Sequence, residues 1–308
     1  MFKILVTGGA GFIGSTLVDA LLTKGHSVTV LDNLVSGRRD YINQAADFWE
    51  LDILDESLTT RFLESKFDFV YHLAAQIDVR ISVEDPVFDN RVNVLGGLNI
   101  LEAVRKSGVK KIIMASTGGA IYGDTDIIPT PETVPTYPLS PYGINKLTLE
   151  KHLNYYYQVY GLNYSILRFS NVYGPRQYKG GEAGVIAIFT EALANDKSCI
   201  VYGDGKQTRD YIYVDDVVSA LIKAMTVETQ QEINISTATE TDIWQMIKAI
   251  EDVAQKKLEV KLAPARAGEQ QRSCLSNSRA QEILDWQPRI SFVEGITRTY
   301  KWVSEQFK

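Results

Sequence analysis

Residues 3–14, KILVTGGAGFIG, run a short apolar strand into a glycine-dense turn and on into the start of a helix. Lys3 to Val6 suits a buried parallel strand, and Phe12, Ile13, Leu17, Val18 and Leu21 follow at helical spacing. Gly8, Gly11 and Gly14 mark the change of period. In such a turn one glycine takes backbone angles closed to other residues, one lets the backbone approach a pyrophosphate, and the last lets helix and strand pack together. The helix start supplies unpaired N–H groups and the positive end of a dipole, both suited to phosphate.

A glycine triplet alone is a weak signal, and the next segment decides its meaning. A second apolar run, Val28 to Leu31, ends in Asp32, eighteen residues after Gly14. A carboxylate there accepts hydrogen bonds from the ribose hydroxyls of an adenine nucleotide and repels a 2′-phosphate, so NAD is expected rather than NADP. The bland alternative, a plain Asp32-Asn33 turn after a strand, does not account for the combined spacing.

With 308 residues, 45% hydrophobic and 23% charged, the chain has apolar material for one large or two modest domains. A net charge of −6 without a polybasic run argues against nucleic acid or an anionic membrane as partner. Cys199 and Cys274 are too few for a disulfide framework and lack metal-ligand spacing, so reduced buried thiols and no metal are expected. His26, His72 and His152 have no metal-like partner in sequence and read as structural. Without a secretory leader or an apolar run of membrane-spanning length, cytoplasmic residence is the expectation.

Strand-like runs at 3–6, 28–31, 67–74, 111–116 and 164–169 alternate with helical patterns near 13–24, 87–107 and 143–159. That alternation predicts an α/β fold with a doubly wound parallel sheet, a Rossmann-type arrangement. Gly25 and Gly108 each lie just past a helical pattern, where a C-terminal glycine belongs. Beyond about residue 170 the rhythm loosens into Gly, Pro and Tyr-rich segments, with helical stretches at 182–195, 214–226 and 240–256. The expected division is an NAD-binding domain over 1–170 with a returning segment near 214–237, and a smaller α/β substrate-binding domain from 171–213 and 238–308.

Tyr142 and Lys146, in YGINK, stand one helical turn apart after Pro138 and Pro141. A free phenol, with a pKa of about 10, is too weak a base at neutral pH, but a nearby ammonium and a cationic nicotinamide both favour the tyrosinate. Tyr142 is then placed to exchange a proton with a sugar hydroxyl, and Lys146 to hold the nicotinamide ribose. Alone, such a pair is usually an exposed surface pair; behind a dinucleotide fingerprint it reads as catalytic.

The glycine turn at 8–14, Asp32, HLAAQ at 72–76, Asn93, Ser116-Thr117 and Tyr142 with Lys146 resemble the extended short-chain dehydrogenase/reductase family. Within it the chain is similar to the nucleotide-sugar 4-epimerases, above all those acting on UDP-glucose, over essentially its whole length. RFSNVYGP at 168–175, VYGDGKQTRDYIYVDDV at 201–217 and RAGE at 266–269 carry the substrate-side likeness. The resemblance implies NAD contacts from Gly8, Gly11, Phe12, Ile13, Gly14, Asp32, Asn33, Asp52, Ile53, Leu73, Ala74, Ala75, Gln76, Asn93, Tyr142 and Lys146. For the sugar nucleotide it implies Asn171 and Val185, with Arg209 and Arg266 clamping the diphosphate, Glu269 on the uridine ribose and Ser273 beside the sugar C2. Gln76 and Arg80 either approach the phosphates or lie outside the first layer of contacts. A homodimer through helices near 87–107 and 143–159 is also implied.

One departure stands out. The family places a hydroxyl four positions before the Tyr of a Tyr-Gly pair, and counting back from Tyr122 gives Gly118. Thr117, or else Ser116, is expected to supply that donor. Related dehydratases carry an Asp-Glu pair after the catalytic Thr, where this chain has Gly118-Gly119, so elimination lacks its acid and base. The expected reaction is therefore 4-epimerisation of a UDP-hexose through a transient 4-keto sugar. Ser273, smaller than the tyrosine of some relatives, leaves room for N-acetylhexosamine forms. UDP-glucuronate as substrate, another sugar-nucleotide oxidoreductase or lyase, and a non-catalytic dinucleotide sensor are the competing readings.

Overall fold

The computed structural model describes residues 1–177, 184–265 and 270–306. The apolar runs form β1 (Lys3–Thr7), β2 (Ser27–Asp32), β3 (Asp47–Glu50), β4 (Phe69–His72), β5 (Lys111–Thr117) and β6 (Tyr164–Phe169). With the strand Glu232–Ile235 they make a seven-stranded sheet in the order Glu232–Ile235, β6, β5, β4, β1, β2, β3. Every pairing in it is parallel, as the αβ alternation predicts. Residue alternation along each strand feeds two apolar layers. Ile4 and Val6 face one with Leu17, Leu21, Val217 and Leu221, while Leu5 faces the other with Val70, Ile100 and Val104.

The strand order changes direction at β1, which lies between β2 and β4. Thr7 is in register with Leu31 on one side and His72 on the other, so the glycine turn leaves the sheet at its switch point, where open α/β sheets bind ligands. The helix Phe12–Thr23 then packs back on the sheet beside the helix Val214–Thr226.

The pattern read as one helix over 87–107 breaks into Pro86–Asn90, a wide π-type turn at Arg91–Gly96, and the helix Gly97–Ser107. Smaller sheets, invisible in the periodicity, sit beyond β6. Asn171–Tyr173 pairs with Tyr211–Tyr213, and Cys199–Tyr202 pairs with Val260–Ala263. Thr208–Arg209 lies between Thr241–Asp242 and Arg272–Ser273. These strands are two to four residues long, too short to show a period. Among the described residues no helix is long and apolar enough to cross a membrane, and no group of His, Cys, Asp and Glu is arranged to hold a metal ion.

Candidate active site

Gly8 has a φ of +70°, and a β-carbon on it would lie 2.7 Å from the Ala74 nitrogen. Glycine is needed there both for the turn and for the close approach of the chain after β4. A β-carbon on Gly14 would lie 2.1 Å from the Gly8 carbonyl oxygen, so that glycine is what lets helix and strand meet. Gly11 caps the helix with no side-chain hydrogen bond, and the first turn holds no acidic residue. Its N–H groups and dipole end therefore meet neither a side-chain cap nor an acidic residue of the helix's own first turn, and the cradle fits a pyrophosphate. Phe12 and Ile13 open the helix and pack on the core.

Asp32, at the end of β2, is buried and accepts the N–H groups of Leu34 at 2.9 Å and Ala10 at 3.0 Å. Burial raises its pKa, and those two bonds pull it back. Beyond it Asn33 donates to Asp52 at 2.8 Å, while Ile53 is buried beneath Gly96.

After β4, Leu73 and Ala74 run against the Gly8 turn. The Ala74 N–H donates to the Thr7 hydroxyl, which shares a hydrogen bond of 2.8 Å with Nδ1 of His72. Burial, with the nearby Lys146 charge, holds His72 down to a pKa of about 3, so it stays neutral and structural. Ala75 leads into Gln76, whose side chain closes on Asp78 and Asp89. Asn93, carried by the π-type turn, accepts the Gln76 N–H at 3.0 Å and donates back to its carbonyl at 2.9 Å. Fully buried Asp89 accepts from Gln76, Asn93 and Asn145, tying this loop to the residue before Lys146.

Ser140 caps the helix Pro141–Tyr160 by accepting the Gly143 N–H at 3.1 Å, with Pro141 pre-set for the first turn. A β-carbon on Gly143 would lie 2.4 Å from the Ala120 carbonyl, so glycine seats this turn on the loop after β5. Tyr142, Lys146 and Glu150 follow at intervals of four on one face. Lys146 is 4% exposed, and burial lowers its pKa to about 8 against the pull of Glu150 and Asp89. Glu150 in turn forms a buried ion pair with Arg168 at 2.5 Å.

Ser116 donates to Glu150 at 2.6 Å, which commits its proton to that buried network. Thr117, half-buried at the end of β5, accepts the Ala120 N–H at 3.2 Å and donates to no side chain or carbonyl among the described residues. Its own proton remains available. The two adjacent hydroxyls thus face opposite sides of the sheet, as strand geometry requires. Leu275 fills the space beside Gly118, whereas the side of Gly119 is open, with Thr117 Oγ1 and Asn171 Oδ1 each 4.0 Å from where its β-carbon would stand.

Among the substrate-side residues, Arg209 and Ser273 are opposite one another in register. Val185 is the first residue of the helix Val185–Ala194. Arg80 makes a two-pronged ion pair with Asp78 at an exposed helix start. Arg266 and Glu269 lie outside the described residues.

A profile described as NAD dependent epimerase/dehydratase family matches residues 4–236. The chain belongs to that family. It is 44% identical to the UDP-glucose 4-epimerase of Mycolicibacterium smegmatis, covering 97% of this chain and 98% of the relative. The UDP-glucose 4-epimerase of Thermotoga maritima, solved with UDP-glucose, superposes with a TM-score of 0.97 at 44% identity, over 99% of this chain and 100% of that one. The enzyme of the same description from Thermus thermophilus, solved with NAD, gives 0.93 at 43% identity, over 98% of each. The fold and the family reached from the motifs are those the comparisons return.

Sequence reasoning missed three buried carboxylates in this family member: Asp89, Glu150 and Asp210. Glu150 left a signal, because a charge two turns after Tyr142 falls on the buried face of its helix. Asp89 and Asp210 left none, since each is held in part by donors far off in the chain, Asn145 and Leu275.

Proposed function

We propose that this protein interconverts UDP-glucose and UDP-galactose by NAD-dependent inversion at C4, through a transient 4-keto sugar. The observation that carries the reading is the seating of Tyr142 and buried Lys146 on the loop after β5, where Gly118 and Gly119 leave no carboxylate for elimination. Gly8, Gly11 and Gly14 would hold the pyrophosphate of the cofactor and Asp32 its adenine ribose, with Asn33, Asp52, Ile53, Leu73 to Gln76 and Asn93 along its path. NAD, when bound, supplies a reversible hydride acceptor. Tyr142 takes and returns the proton of the 4-hydroxyl. The Lys146 ammonium favours the tyrosinate and holds the nicotinamide ribose. Thr117, with its proton free, donates to the sugar oxygen at C4, and Ser116 supports Glu150 instead. Asn171, Arg209, Arg266 and Glu269 hold the nucleotide end while the sugar turns over.

Ser273 leaves room for a C2 N-acetyl group. The exposed apolar side chains Leu95, Ile144, Tyr155 and Val159, on helical segments flanking the site, fit a homodimer in which a second copy covers them. UDP-galactose incubated without added cofactor and followed by proton NMR and absorbance near 340 nm tests the reaction. UDP-glucose appearing at flat absorbance is the expected result. No new sugar after NAD⁺ is added, or a stable keto product, would overturn it.

A further inference from the structure

The carboxylate of Asp210 is 1% exposed and collects donors from three other segments of the chain. Oδ1 accepts the Thr237 hydroxyl at 2.8 Å, the Thr237 N–H at 3.0 Å and the Ser170 hydroxyl at 3.3 Å. Oδ2 accepts the Ala238 N–H at 3.1 Å and the Leu275 N–H at 3.3 Å, with the Cys274 thiol at 3.7 Å. A carboxylate offers only acceptor positions, about four lone-pair sites, and here every neighbour is a donor. Burial raises the Asp210 pKa, and these hydrogen bonds counter it.

Those segments carry the residues proposed to hold the substrate. Ser170 precedes Asn171, whose own N–H donates to the Asp210 carbonyl at 2.9 Å. Arg209 immediately precedes Asp210, and Cys274 follows Ser273, the register partner of Arg209. Leu275 is the residue that fills the space beside Gly118. One buried carboxylate therefore sits behind three residues of the sugar-nucleotide site and the wall next to Thr117.

We infer that Asp210 is the positioning residue of the sugar-nucleotide site, holding Asn171, Arg209 and Ser273 in one constellation. This rests on the epimerase reading above. Asp216, in the same motif, provides the control, because it too is buried and accepts two backbone N–H groups, but from Arg289 and Ile290.

Asp210→Asn replaces one acceptor by a donor facing donors. The expected result is a Kd for UDP and a KM for UDP-galactose raised about tenfold or more, with kcat within about threefold of the parent and NAD retained. Asp216→Asn is expected to lower Tm with both constants unchanged. A Kd for UDP within about twofold of the parent in folded Asp210→Asn overturns the inference. Should that variant not fold, Thr237→Val decides, since it deletes one donor. A rise of about threefold in Kd at unchanged kcat sustains the inference, and an unchanged Kd overturns it. A parent that binds UDP without epimerising any UDP-sugar removes the functional reading instead, while the ratio of Kd values still judges Asp210.

Discussion

Leu275 Cδ1 stands 2.1 Å from the point that a β-carbon on Gly118 would occupy. The space beside Gly118 is thus filled by a side chain 157 residues further along the chain, and the hydroxyl expected at that position is proposed to come from Thr117 instead. Gly118→Ser is expected to destabilise the fold by about 1–3 kcal/mol through overpacking, and Leu275→Ala in the same chain to recover part of the loss. Thermal unfolding of the single and double variants measures it. An unchanged Tm for Gly118→Ser would contradict the contact.

Tyr142→Phe keeps the ring and removes the oxygen proposed to exchange the proton. Turnover of UDP-galactose should fall by about 10²-fold or more, with KM little changed, because general acid–base steps act on the transition state. Steady-state kinetics decide it, and a loss of only a few-fold would remove the phenol from the mechanism.

Lys146 is a base whose folded pKa, about 8, lies below its ordinary value. Its ammonium is lost as pH rises through that value, so kcat/KM should decline above about pH 8 through loss of support for the tyrosinate. Stability runs the other way. Between the folded pKa and the unfolded value of about 10.4 the unfolded chain binds more protons, so Lys146 penalises the cofactor-free fold fully below about pH 8 and progressively less above it. Lys146→Met should therefore be inactive yet at least as heat-stable as the parent at pH 7, with its advantage shrinking toward pH 10. A lower Tm at pH 7 in the absence of cofactor would refute the argument.

Ser273 is small, buried and opposite Arg209. The parent is expected to turn over UDP-GlcNAc as well as UDP-galactose, and Ser273→Tyr to reduce the ratio of their kcat/KM values by about tenfold or more. Parallel assays with both sugars test it; undetectable UDP-GlcNAc turnover by the parent would remove the idea.

Ile144 and Val159 are 49% and 55% exposed on the helix that carries Tyr142. Ile144→Glu with Val159→Glu should leave the fold intact and halve the mass measured by light scattering, since two charges on an apolar contact oppose its burial. A parent already monomeric would end the homodimer proposal.

The glycine turn, Asp32 and the Tyr142–Lys146 face were legible because their partners are near in the chain. Gly14 meets the Gly8 carbonyl six residues back, and Lys146 is one turn from Tyr142, so spacing and period carried both. The wide turn at Arg91–Gly96 was not legible, because it breaks a helical apolar pattern without a proline inside it. The short strands beyond β6 were not legible either; Arg209 and Ser273 are sixty-four residues apart and meet only through a two-residue pairing.

From residue order alone came the parallel αβ sheet, the cofactor class and the helix face bearing Tyr142, each a matter of local periodicity and steric fit. Folding decided which of the two hydroxyls is committed to the buried network and what stands behind the residues proposed to hold the substrate. Ser116 donates its hydrogen bond to Glu150 on the helix packed against the sheet, leaving Thr117, and Asp210 draws together segments up to sixty-five residues away. The physical reason is that a buried carboxylate takes whichever donors the packed chain brings to it, and that set is a property of the packing rather than of any stretch of sequence.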